Sequence, residues 1–83
     1  MEPEEGAPVD ERRVYRVILE PEEGGGFTVV VPALPAVITY GATREEALEN
    51  VRDAIRLYLE SLRARGLPAP QDGTLVEEVA ITA

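Results

Sequence analysis

Large apolar residues fall along the chain in short dense runs and one long periodic stripe. Arg13 to Glu20 (RVYRVILE) is rich in β-branched, aromatic and aliphatic side chains and stops at Pro21, which predicts a strand. Phe27 to Val31 (FTVVV) predicts a second. Between them, Glu22-Glu23-Gly24-Gly25-Gly26 predicts a polar hairpin loop whose glycines permit positive φ. Pro32-Ala33-Leu34-Pro35 reads as a rigid connector, because two prolines three apart cannot sit inside a sheet ladder. Ala36 to Tyr40 (AVITY) predicts a third, shorter strand.

The period then changes from 2 to 3.6. Thr43 is a strong N-cap, and Glu46 three residues on completes a capping box. Glu45 and Glu46 also meet the positive end of the helix dipole. Apolar residues follow at 47, 48, 51, 54, 55, 58, 59 and 62, the spacing of one buried helical stripe. The opposite face is charged, with Arg56 and Glu60 spaced to pair at i,i+4. Gly66, Leu67 and Pro68 make a helix stop. Thr74 to Thr82 (TLVEEVAIT) predicts a last strand.

The predicted order is β-β-β-α-β, an α+β domain over residues 13–83 with one helix on one sheet face. Three antiparallel strands and a helix make the fourth strand parallel to the first and third, through a right-handed crossover. Spacing allows it beside either. One helix covers only one face, yet the first strand is apolar on both: Tyr15, Val17 and Leu19 point one way, Val14 and Ile18 the other. The second strand sets Phe27, Val29 and Val31 against Val30. Scattered exposed valines on a small protein are one reading. Burial of the second face by another chain is the sharper one, with Val14, Ile18 and Val30 as the candidate oligomer face. Domains this small without disulfides or metals often need oligomerisation, so a homo-oligomer, dimer or tetramer, is expected.

Charge narrows the function. Of 83 residues, 16 are acidic and 8 basic, for a net charge of −8. Every basic residue is Arg; Lys, His, Cys and Trp are absent. Disulfides, thiolate nucleophiles and histidine relays within the chain are thereby excluded, and independent DNA or RNA binding lacks its basic patch. Residues 1–12 hold five of the acids and few large apolar groups, which predicts an acidic disordered tail. No run approaches the roughly 20 apolar residues of a membrane span. The acidic first residues do not resemble a secretory signal, so a cytoplasmic protein is expected. Arginine without lysine is the bias of a GC-rich genome and, more weakly, of a thermophile.

Candidate chemistry is thin. Glu45, Glu46, Glu49 and Asp53 could attract a cation, but capping, dipole and solvation account for them. Gly24-Gly25-Gly26 leads into a strand rather than a helix, so it is no phosphate loop. Ser61 has no His or Lys to activate it. Tyr15, Tyr40 and Tyr58 lie on different predicted elements and read as core or interface residues. No metal, cofactor or catalytic residue is expected.

One pattern is more specific. Pro32-Ala33-Leu34-Pro35, then Thr39-Tyr40-Gly41 and Thr43-Arg44-Glu45-Glu46-Ala47, resembles the signature of the HicB-like family, the small UPF0150-type domain. Asn50, Ala54 and Ile55 continue it along the helix, and Gly25-Gly26-Phe27 fits the entry to strand 2. The family commonly has Asp where Ala33 stands, Gly where Ala36 stands, and often Cys and Gln where Val37 and Tyr40 stand. The resemblance implies a truncated ribonuclease-H-like sheet of order 3-2-1-4 without catalytic carboxylates. It implies an antitoxin role: binding a small basic HicA-like toxin that cleaves mRNA. Pro32, Leu34, Pro35, Gly41, Thr43, Glu45, Glu46 and Ala47 would be its structural or partner surface. The 17 residues after Gly66 offer no helix-turn-helix or ribbon-helix-helix, so DNA binding by this chain is not expected. The competing readings are an orphan homo-oligomer without a toxin, and a degenerate hydrolase holding Mg²⁺ between Glu20 and Glu78.

Overall fold

Three glycines set the first reversal of the chain. Gly24, Gly25 and Gly26 all take positive φ (93°, 112° and 87°) between β1 (Ile18–Pro21) and β2 (Phe27–Val30). The Glu22 N–H donates to the Gly26 carbonyl at 2.9 Å, and the Gly25 N–H to the Glu22 carbonyl at 3.0 Å. The computed structural model from which these elements are taken describes residues 12–82. β3 (Ile38–Gly41) completes a three-stranded antiparallel sheet of order β1-β2-β3. The register aligns Ile18, Val30 and Ile38 across the strands, and in the next row Leu19, Val29 and Thr39.

The helix α1 (Arg44–Ala64) forms as its pattern predicts. The Glu46 N–H donates to the Thr43 hydroxyl at 3.1 Å. The Glu46 carboxylate returns to the Ala42 N–H at 2.7 Å, one residue earlier than in the usual capping box. At the other end, the Leu67 N–H reaches the Leu62 carbonyl and the Gly66 N–H the Arg63 carbonyl, at 2.9 and 3.0 Å, with Gly66 at φ 71°. That is the Schellman closure. Arg56 pairs with Asp53 at 2.9 Å rather than with Glu60. Both side chains are well exposed, and such a pair contributes about 0.3–0.5 kcal/mol.

α1 packs over β3 and β2, so Val29, Ala47 and Val51 are buried between sheet and helix. The connector contributes as much to the core. The Leu34 N–H bonds the Val31 carbonyl (2.8 Å) and the Val37 N–H the Leu34 carbonyl (2.9 Å), two successive turns. This three-residue repeat aims Val31, Leu34 and Val37 inward, and all three are buried.

Two expectations are corrected. The predicted first strand, 13–20, is laddered only over Ile18–Pro21, because its partner β2 ends at Val30 and Pro32 offers no N–H to carry the ladder on. Residues 13–17 lie outside that ladder, with Tyr15 and Val17 half-buried against the core. The predicted fourth strand, 74–82, is in no sheet, so the fourth place of order 3-2-1-4 is not filled by the chain's own described residues. Leu75, Val76, Val79 and Ile81 are 75–79% exposed, and among the described residues no strand pairs with them. The predicted acidic tail, 1–12, lies outside the described residues apart from Arg12.

Candidate functional site

Gly41 and Ala47 fix how the helix sits. Gly41 has ordinary φ, so its backbone does not demand glycine. A Cβ there would collide with the backbone N and Cα of Ala47. The bare Gly41 thus lets α1 approach β3, and Ala47, fully buried, is the residue it meets. Leu34 is 1% exposed in the core. Thr43 and Glu46 satisfy backbone donors at the helix start, and Asn50 Nδ2 donates to the Tyr40 carbonyl at 2.8 Å. Glu45 stands in the first helical turn, while Pro32 and Pro35 are exposed at the connector's bends. The signature residues therefore share one junction between β3, the connector and α1, where most of them hold the scaffold.

The uncovered sheet face presents a different surface. By register, Ile18, Val30 and Ile38 make one row of it, and Glu20, Thr28 and Tyr40 the next. Ile18 is 46% exposed, Ile38 64% and Tyr40 53%, while Val14 upstream of β1 is also exposed. Val30, the central member, is half-buried between its neighbours. The three candidate oligomer-face residues thus lie on or beside one surface. Ile38 and Tyr40, which extend it, were legible in the alternation Val37 in, Ile38 out, Thr39 in, Tyr40 out.

Beside β1 the cover is incomplete. A groove of about 390 Å³ between α1 and residues 13–15 is lined by Tyr15, Ile55 and Leu59 with Arg13, Arg52, Arg56 and Arg63 and the carboxylate of Glu60. A second, of about 280 Å³, adjoins it and adds Val17 and Leu48. Leu48, Ile55 and Leu59 belong to the predicted helical stripe but are only half-buried. Four arginines and one carboxylate thus surround this apolar trough.

The chain returning from α1 runs close to this groove. The Tyr15 hydroxyl donates to the Pro70 carbonyl, and the Arg16 N–H donates to the Asp72 carboxylate. Asp72 also accepts from the Thr74 N–H at 2.8 Å. These bonds hold the Asp72 carboxyl below its ordinary pKa of 3.8. The Arg16 N–H acts most strongly, followed by the backbone and hydroxyl of Thr74.

Glu20 sits on the open sheet face and Glu78 on the exposed C-terminal segment. Among the described residues no three acidic side chains gather as a metal site would require. Nor, among them, is any helix long and apolar enough to cross a membrane.

A small antiparallel sheet of three strands covered on one face by a single helix defines an α+β fold. The comparisons place it. The family described as the HicB-like antitoxin of bacterial toxin–antitoxin systems matches residues 15–82, and the chain belongs to that family. It is 44% identical over 69 residues to a UPF0150 protein of Thermoplasma acidophilum, covering 83% of this chain and 97% of that one. A UPF0150 protein of Synechocystis is 40% identical over 67 residues, 81% of this chain and 85% of that protein. Antitoxin HicB 1 of Photorhabdus laumondii is 45% identical over 60 residues, which are 68% of this chain but 39% of that longer protein. No solved structure matches the chain.

Proposed function

We propose that this protein is a non-catalytic binding module that self-associates and neutralises a small basic toxin that cleaves mRNA. The observation that carries the reading is the row Ile18, Val30 and Ile38 on a sheet face that no part of the described chain covers. An apolar row of this kind is what a partner surface buries. The family supplies the kind of partner. The charge of −8 suits it, because a negative surface speeds encounter with a basic protein and competes with RNA for the same cationic groups. The same reading takes the β-β-β-α core as a truncated ribonuclease-H-like sheet and its location as cytoplasmic. Pro32, Pro35, Thr43, Glu45 and Glu46 contribute the exposed part of the signature surface.

An orphan homo-oligomer is the second reading. It is favoured by Ala33, Ala36 and Tyr40, which make the connector end more apolar than the usual signature. One experiment separates the two. A HicA-like toxin is assayed for RNA cleavage with increasing amounts of the chain, alongside light scattering of the chain alone. Stoichiometric loss of cleavage supports neutralisation. An oligomer that leaves cleavage unchanged supports the orphan, and a monomer that leaves it unchanged defeats both.

A further inference from the structure

The open sheet face is built symmetrically about one apolar row. Ile18, Val30 and Ile38 cross the three strands at one register level. Along the chain, Arg16 and Glu20 stand two residues to either side of Ile18. Tyr15 and Val17 pack against the core, so alternation puts Arg16 on the same face as Ile18 and Glu20, and all three are exposed. Four residues of extended chain separate the two charges by about 13 Å. Among the described residues neither side chain closes an ion pair. Asp72 bonds the Arg16 main-chain N–H, and of the groups that lower the Asp72 pKa the Arg16 guanidinium acts least. The face thus has an apolar centre with an unpaired cation on one side of it and an unpaired anion on the other.

We propose that a second copy of this chain covers the face, the two sheets stacking about a twofold axis that runs along the row Ile18, Val30 and Ile38. The proposal rests on the self-association inferred above and deepens it by assigning the surface and its register, with the toxin bound by the resulting pair. An axis along the row keeps each strand over its counterpart and reverses the direction in which the strand runs. Ile18, Val30 and Ile38 then meet the same residues of the other copy. Arg16 of each copy comes over the partner's Glu20, so one interface pairs both charges twice. Stacked sheets lie about 10 Å apart and are offset by about 30°, and an arginine and a glutamate together span that gap. Charge selects this occupant. A basic partner meets Glu20 but is repelled by Arg16. Residues 1–11, with five carboxylates and no basic group, meet Arg16 but are repelled by Glu20. A second copy satisfies both.

Charge swaps in the full-length chain test the register, read as the dimer dissociation constant from analytical ultracentrifugation. Arg16→Glu puts a carboxylate over the partner's Glu20, and Glu20→Arg puts a guanidinium over the partner's Arg16, so either should raise the constant about tenfold. Mixing the two single variants should restore it as a heterodimer, because one copy then offers two carboxylates and the other two guanidinium groups. The double variant Arg16→Glu/Glu20→Arg should restore it as well, and it keeps the net charge of −8, so recovery reports the contact rather than overall repulsion. A monomeric parent would overturn the proposal and self-association together; if deleting residues 1–11 then made it dimerise, the occupant would be the chain's own N-terminal segment. A dimer indifferent to both single variants would overturn the assigned face and leave self-association standing. Losses that mixing does not repair would overturn the twofold register. Single variants that stay dimeric but no longer inhibit the toxin would give the face to the toxin instead. As a second readout, Ile38→Cys in this cysteine-free chain should cross-link to its own counterpart with a short bismaleimide, whereas Leu57→Cys, equally exposed on the helix, should not. Equal yields from the two would overturn the axis.

Discussion

Replacing Gly41 by alanine adds one carbon at the tightest point between sheet and helix. That carbon would overlap the backbone N and Cα of Ala47. The backbone there cannot step aside alone, since the Ala47 N–H is bonded to the Thr43 carbonyl at 2.8 Å in the first turn of α1. Relief requires the helix start to lift from β3, opening a gap over Val29 and Val51, which are buried there. A gap of about 0.5–1 Å forfeits a quarter to a half of the dispersion energy of each contact it opens. Overpacking typically costs about 1–3 kcal/mol, and a collision with backbone rather than a flexible side chain belongs at the upper end. About 3 kcal/mol in a domain of this size corresponds to a fall in Tm of roughly 12–24 °C. A thermal melt followed by far-UV circular dichroism reads it directly. Gly73→Ala is the control, because a Cβ there meets nothing and its φ is ordinary, so it should stay within about 0.5 kcal/mol of the parent. Adding Ala47→Gly to Gly41→Ala removes a side chain but leaves the colliding backbone, so it should not restore stability. A Gly41→Ala protein that melts with the parent, or one rescued by Ala47→Gly, would refute the close-approach account.

Other substitutions probe the remaining parts. Thr43→Ala removes the oxygen that accepts the Glu46 N–H and should cost about 1 kcal/mol in a denaturant titration. Leu34→Ala should cost about 2–5 kcal/mol as a core truncation, and more than Ile55→Ala, whose side chain is half-buried; equal losses would place the connector outside the core. Because the Asp72 carboxyl is held below its ordinary value, its bond to Arg16 is intact above pH 3.8 and is lost as pH falls through the lower folded-state value. The Arg16 amide shift, followed by NMR, should titrate below 3.8, and Asp72→Asn should abolish that titration. Ile38→Asp on the open sheet face should leave the melt of the isolated fold nearly unchanged while weakening binding to the toxin; an unaltered affinity would remove that face from the interface.

The helix was readable because its signals are local. Thr43, the apolar stripe and Gly66 each act within a turn or two, and all three stand where the pattern put them. The hairpin was readable for the same reason, through Gly24–Gly26. The connector was only half readable. Two prolines marked a break in the ladder, but the inward spacing of Val31, Leu34 and Val37 comes from stacked turns, not from a helical or strand period. Segment 74–82 has the composition of a strand, yet composition cannot say whether its partner lies in the same chain. The signature residues were legible as a pattern, whereas their role was not: Gly41 is required by the approach of Ala47, a contact that exists only once helix and sheet have met.

The central claim is that the chain acts by binding a basic partner and carries out no chemistry of its own. Its most direct test measures RNA cleavage by a HicA-like toxin while the chain is titrated in at low and high salt. The account predicts that cleavage falls to nothing at stoichiometric chain, with weaker inhibition at high salt, and that the chain alone cleaves no RNA. Undiminished cleavage at excess chain, or cleavage by the chain itself, would contradict it.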